Sequence, residues 1–258
     1  MIVSIRADLD YAVEGTAPVL MQIEAADLPD QHVVKSKLDI EDALGFVRVA
    51  ADEGVGERSL FRVKKRLLCR YAAEVEIDRK LADIRKLDAV PLPALPGEAV
   101  KFLMPSRYCQ SDLFEGFVDA EFGKLAGGAR VAAMRKWIET NLSYVRGSSD
   151  ERTTVMETFA ERKGICRDYA HLMITLARAS GMPARMVSVY APDVTPPDFH
   201  AVAEVFVGGE WRLVDATGMA EPDTMVRIGV GRDAADVAFL IICGENELKK
   251  QKVAVKRK

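Results

Sequence analysis

Three residues of this 258-residue chain have the types and the order needed to attack a carbonyl: Cys166, His200 and Asp215. A carboxylate that accepts one imidazole N–H fixes the ring's tautomer and leaves the other nitrogen to take a thiol proton. The thiolate is then the nucleophile, and a thioester the intermediate. Cys69, Cys109 and Cys243 complete the set of four cysteines. Their spacings of 40, 57 and 77 residues match neither a disulfide scaffold nor a C-x2-C metal site.

Such chemistry needs elements that bring distant residues together. The runs His200 to Val207 and Glu210 to Asp215 flank Gly208-Gly209, a two-residue hairpin signal. With Val207 opposite Glu210, paired residues have numbers summing to 417, so Val202 faces Asp215 and His200 is its diagonal neighbour. Diagonal neighbours on one face lie about 7–8 Å apart, a gap that side chains can close. A slip of one residue would place them on opposite faces.

Cys166 opens an apolar segment that runs to Ser180 and stops at Gly181-Met182-Pro183, which predicts a buried central helix. In the first turn of a helix, the dipole and the free N–H groups favour a thiolate and can hold an oxyanion. Upstream, Thr154 and Glu157 form a capping-box pattern that predicts a short helix to about Lys163, ended by Gly164 in the left-handed conformation. Val131, Met134, Trp137, Ile138 and Leu142 mark the apolar face of another helix.

The N-terminal part has a different rhythm. Val3, Ile5, Ala7, Leu9, Tyr11 and Val13 alternate with polar residues, and Phe61 to Ile77 does the same with an interruption at Lys65. With shorter candidates at Val19 to Glu24 and Phe46 to Ala51, this predicts an antiparallel β-sandwich over about the first 80 residues. Pro91, Pro93 and Pro96 then suggest an extended connector. The expected division is residues 1–95 and 96–258, the second part mixed α and β.

The stretch TTVMETFAERKGICRDYAHLMITLARASGMPARMVSVYA, followed by FHAVAEVFVGGEWRLVDATG, resembles the core of the transglutaminase-like superfamily of papain-like thiol enzymes. The resemblance implies an α+β fold: an N-terminal antiparallel β-sandwich, then a papain-like core with the nucleophile helix packed on an antiparallel sheet. It carries the nucleophile of G-x-C-R-D to Cys166, the base of H-A-W-x-E to His200 and the orienting acid of D-P-T to Asp215. Val202 and Ala216 stand where that pattern has tryptophan and proline. Residues 1–95 and PSRYCQSD (Pro105 to Asp112) resemble segments of bacterial members. The implied activity is hydrolysis of a peptide or isopeptide amide in a peptide or protein substrate. The alternatives are transfer of the acyl group to an amine and a non-catalytic peptide-binding module.

Other residues enter with two readings. Tyr108 and Gln110 are candidates to line the site or bind an oxyanion, or else turn and packing residues. Asp168, beside Arg167, is expected to brace the helix start or to tune the site. His171, about 140° around the helix from Cys166, is expected in the core. Cys69 and Cys243 are expected as packing residues, Cys243 in a core strand, and Cys109 as a second reactive thiol. His32 falls in a loop-like stretch.

The 36 basic and 39 acidic residues are interleaved, which leaves no basic stripe for nucleic acid. The apolar run Val237 to Cys243 is far shorter than the roughly 20 residues that span a bilayer, and no secretory signal pattern opens the chain. The expectation is a cytoplasmic protein that binds neither nucleic acid nor membrane. No calcium-loop pattern is present, so activity without a metal or other cofactor is expected.

Overall fold

The computed structural model describes residues 1–258. Two long strands, β1 (Ile2–Met21) and β4 (Glu57–Ile77), pair antiparallel along most of their length. Their alternation buries Val3, Ile5, Ala7 and Leu9 of β1 and Cys69, Tyr71, Ala73 and Val75 of β4. The ladder breaks between Ala12 and Thr16, and there Lys65 takes a positive φ of 65°. A bulge of this kind bends both strands.

On one side of the bend β1 and β4 are flanked by β12 (Asn246–Arg257) and β2 (Gln31–Ile40), and on the other by β11 (Leu240–Ile242) and β3 (Leu44–Ala50). A single six-stranded sheet is thus folded over on itself, with Cys69 Sγ 3.9 Å from Met21 Sδ across the fold. The predicted sandwich is therefore made from one sheet. Its inner surfaces share a core that includes Leu9, Val63, Leu67 and Tyr71.

The strands β11 and β12 correct the expected division of the chain, because the second unit does not extend to residue 258. Without β12 one side of β1 would be an open edge; with it, Val253 and Val255 join the core. Cys243, expected in a core strand, is exposed just past β11. The other limit moves as well. The carbonyls of Leu87 and Asp88 accept from Gly128 and Gly208 N–H, so the chain docks on the second unit before residue 95. The proline segment forms a 3-10 turn at Leu92–Ala94 rather than an extended connector, and His32 lies in β2 rather than in a loop.

The second unit contains helices α1 (Gly97–Val100), α2 (Glu115–Phe122), α3 (Gly127–Asn141), α4 (Val155–Glu161) and α5 (Cys166–Ala179). A two-residue parallel pair joins β5 (Ser143–Tyr144) to β6 (Lys163–Gly164). The main sheet has the antiparallel order β10-β7-β8-β9, from β7 (Ala184–Tyr190), β8 (His200–Val207), β9 (Glu210–Val214) and β10 (Val226–Gly231). Leu172, Met173 and Leu176 of α5 pack on Met186, Ala203 and Val205. Val187, Val189, Val202 and Leu213 belong to another cluster, which includes Ala26 and Val55.

The two units are stitched together by buried polar contacts. The Tyr190 hydroxyl donates to the Ile23 carbonyl at 2.7 Å, and the Gln31 side chain accepts from Arg227 N–H at 2.8 Å and donates to its carbonyl at 2.9 Å. Glu204, fully buried on β8, is paired with Arg185 and Arg227, and Arg227 also with Asp30. Buried charges of this sort require such partners. No helix is long and apolar enough to cross a membrane.

Candidate active site

The β8–β9 hairpin keeps the register sum of 417 from Val207 and Glu210 to Ala203 and Val214. Gly208 and Gly209 have φ of 65° and 81°, as a tight hairpin turn of this type requires. His200 begins β8 and Asp215 directly follows β9. His200 Nε2 and Asp215 Oδ2 are 3.0 Å apart, both residues almost fully buried.

Asp215 is held from several sides. Its Oδ1 accepts from the Thr217 N–H at 2.8 Å and hydroxyl at 2.7 Å, and its Oδ2 from Ala220 N–H at 3.0 Å. Arg135 Nε donates to its main-chain carbonyl at 2.8 Å. Burial opposes ionisation of this carboxyl, but the hydrogen bonds and charge of His200 and the Thr217 bonds prevail and hold it below the usual carboxylate range. Burial likewise disfavours a charged His200 ring; Asp215 and the Cys166 thiol outweigh it and raise the ring to about 10. Nδ1, the nitrogen not facing Asp215, is buried and has no hydrogen-bond partner.

Cys166 is the first residue of α5 and is half-buried. Asp168, fully buried, accepts from Ile165 N–H at 2.8 Å and Ser149 Oγ at 2.6 Å, and pairs with Arg167 at 3.1 Å. It braces the turn that delivers the thiol. The short helix before it ends differently from expectation. Arg162, not Gly164, takes the left-handed conformation (φ 56°), with its guanidinium 4.0 Å over the Phe159 ring. Gly164 is required for another reason: a Cβ there would sit 2.6 Å from the Asp168 Cβ.

Tyr108 and Gln110 do not bond to the thiol or the imidazole. The Tyr108 hydroxyl donates to the Glu151 carbonyl at 2.6 Å, its ring stacks on His171 at 5.1 Å, and its N–H donates to Asp233 at 2.9 Å. Gln110 turns back to the Arg107 carbonyl at 2.9 Å. The same anchoring buries Cys109, whose Sγ lies 3.6 Å from the His171 carbonyl and whose thiol burial pushes up to about 12. That removes the reactivity expected of it. His171 sits in the core, its ring pushed down to about 4 by burial, with Nε2 accepting from Ala234 N–H at 3.2 Å.

One residue beside the thiol had no sequence signal. The β5–β6 pair sets Tyr144 opposite Gly164, fixed by Val145 N–H to the Gly164 carbonyl at 2.9 Å. Burial, with Cys166 nearby, pushes the Tyr144 phenol up to about 12. Two residues of parallel pairing leave no periodicity to read. A cleft of about 810 Å³ lies elsewhere: it runs behind Asp215 along Arg79, Arg135, Glu204 and Trp211, without Cys166 or His200 in its wall.

A profile of the transglutaminase-like superfamily matches residues 118–216, the segment that carries all three groups. A solved structure of a candidate cysteine protease from Cytophaga hutchinsonii superposes with a TM-score of 0.93 at 32% identity, covering 99% of this chain and 90% of that one. An uncharacterised protein of Mycobacterium leprae is 28% identical over 118 residues, 43% of this chain and 42% of that protein. An uncharacterised Mycobacterium tuberculosis protein is 35% identical over 115 residues, 39% of this chain and 37% of its own length. The matched segment thus spans about two fifths of these curated relatives, whereas the likeness to the Cytophaga structure runs through both units. On the profile match and the near-complete structural match together, this chain belongs to the transglutaminase-like superfamily.

Proposed function

We propose that the protein is a thiol-dependent hydrolase of peptide or isopeptide amide bonds, with Cys166 as nucleophile, His200 as acid and base, and Asp215 as the group that orients the ring. The carrying observation is the buried 3.0 Å contact of His200 Nε2 with Asp215, which leaves Nδ1 for the neighbouring thiol. The Cys166 sulfur attacks the amide carbonyl, and His200 protonates the departing amine. Water, losing a proton to His200, then attacks the thioester and frees the acid. Likeness over nearly the whole chain to a candidate cysteine protease supports hydrolysis over transfer.

The test is incubation with a casein digest and a labelled primary amine, read by mass spectrometry for new termini and for the label. Wild-type protein should produce new termini that Cys166→Ser does not, and should do so in the presence of a chelator. Label in place of new termini would assign the transferase reaction instead. Neither product from the wild type would contradict both and leave a peptide-binding module.

A further inference from the structure

The main sheet ends at β9, which pairs only with β8. Opposed residues of an antiparallel pair alternate between exchanging main-chain hydrogen bonds and pointing those groups apart. Phe206 N–H donates to the Pro183 carbonyl at 2.8 Å, away from β9, so Trp211 opposite it points its own N–H and carbonyl outward, and Leu213 does the same two residues on. No turn, loop or side chain bonds to these groups. Leu213 is only 7% exposed, and main-chain groups left unpaired at such depth are uncommon. They face the 810 Å³ cleft: all six residues from Glu210 to Asp215 line it, and the connector from Asp78 to Arg85 lines it without pairing to β9. The volume falls within the roughly 300–1,000 Å³ of ligand sites. We propose that this cleft is a docking site for an extended polypeptide segment, which adds a strand to the β9 edge and sets an acidic side chain beside Arg212, between apolar ones beside Trp211 and Leu213.

The side-chain pattern of the occupant follows from the pleat, since successive residues of an added strand face opposite sides of the sheet. Trp211 and Leu213 share one face, where Leu28 and Ala220 pack in the cluster of Leu213 and also line the cleft. Apolar side chains belong there. Arg212 lies opposite Val205 and projects to the α3 side, where Arg135 lines the cleft as well. Its Nη2 pairs with the exposed Glu210 at 2.9 Å, whereas its Nε is buried without a partner. A carboxylate on the added strand supplies the missing acceptor through a charge-assisted bond, which a guanidinium favours over a neutral one. The inference stands on sheet geometry and does not depend on the thiol chemistry.

The probe is the peptide Thr-Val-Glu-Val-Thr, amidated at its C-terminus and labelled with fluorescein at its N-terminus. Fluorescence anisotropy reads its binding to Cys166→Ser, which leaves the peptide intact. When the glutamate lies beside Arg212, both valine N–H groups point at β9 and the glutamate N–H points away. N-methylation of either valine is therefore expected to weaken binding by about 10-fold, and N-methylation of the glutamate to leave it nearly unchanged. Lysine in place of the glutamate, or Arg212→Gln in the protein, is expected to weaken binding by about 10-fold as well. Hydrogen exchange of the Trp211 and Leu213 amides should slow when the peptide binds.

No binding at millimolar peptide would overturn the proposal. So would binding indifferent to which residue is N-methylated, or exchange slowed around Cys166 in place of Trp211 and Leu213, which would put the peptide at the thiol. Trp211 and Leu213 amides already protected in a self-associated protein would give the edge to a second copy of the chain, and would overturn the proposal likewise.

Discussion

The carboxylate end of the site is closed: Asp215 is 3% exposed and takes hydrogen bonds from His200, Thr217 and Ala220, with Arg135 fixing its main chain. The thiol end is open. Cys166 is half-buried, and the β5–β6 pair that precedes α5 is only two residues long. The contrast separates two tasks. Orienting an imidazole demands a ring that cannot turn and a carboxylate that water cannot reach, whereas admitting a polypeptide demands a nucleophile that solvent and substrate reach. Asp168 is the rigidly held carboxylate of the open side, and it braces the turn before the thiol.

Breaking the closed end should have the largest effect. Asp215→Asn is expected to lower turnover by on the order of 10⁴-fold, as for other triads whose imidazole loses its carboxylate. It should also move the His200 titration. In the wild type the folded-state value, raised from 6.5 to about 10, means that the stability contributed by the charged ring is complete below 6.5 and is lost as pH rises through about 10. Without the carboxylate, burial dominates and the ring should be neutral at pH 8. An NMR titration of the imidazole reads this directly, and a ring still charged at pH 8 in Asp215→Asn would detach the shift from the carboxylate.

Loosening the braced part of the open end should cost stability more than chemistry. Asp168→Ala leaves the Ile165 N–H and the Ser149 hydroxyl without their acceptor, a loss of about 1–3 kcal/mol for buried donors, measurable as a lower denaturant midpoint. If the midpoint holds and turnover alone collapses, Asp168 acts on the reaction rather than on the turn.

The smallest effect belongs to the outer surface of the sandwich. Val47, 54% exposed on β3, faces Leu60 across the ladder and touches no site element. Val47→Thr should change stability by less than about 0.5 kcal/mol and leave the acylation rate as in the wild type. A shift in that rate would tie this surface to the thiol.

The same contrast governs what the sequence made legible. Elements fixed by local chemistry are evident: the two-glycine turn specifies the register that unites His200 and Asp215, the capping box starts α4, and the break in alternation at Lys65 marks the bend of the sandwich. What depends on distant partners is not. The strand NELKKQKVAVKR looks like a charged tail because it buries only Val253 and Val255, yet it completes the first sheet. Gly164 carries the same letter whether it stops a helix or makes room for Asp168. Tyr144 lies 22 positions from Cys166 in a pairing too short to show any period, whereas Tyr108 and Gln110 attract attention and are drawn away by Asp233, Glu151 and Arg107.

The central claim is that Cys166 alone among the cysteines is activated, and that His200 activates it. Iodoacetamide alkylation across pH, quantified by peptide mass spectrometry for all four cysteines in wild type and His200→Ala, measures both parts at once. The account predicts that Cys166 is modified fastest and that its rate falls when His200 is removed, while Cys69 and Cys109 stay protected by burial. Modification of Cys166 no faster than that of exposed Cys243, with a profile indifferent to His200, would contradict it.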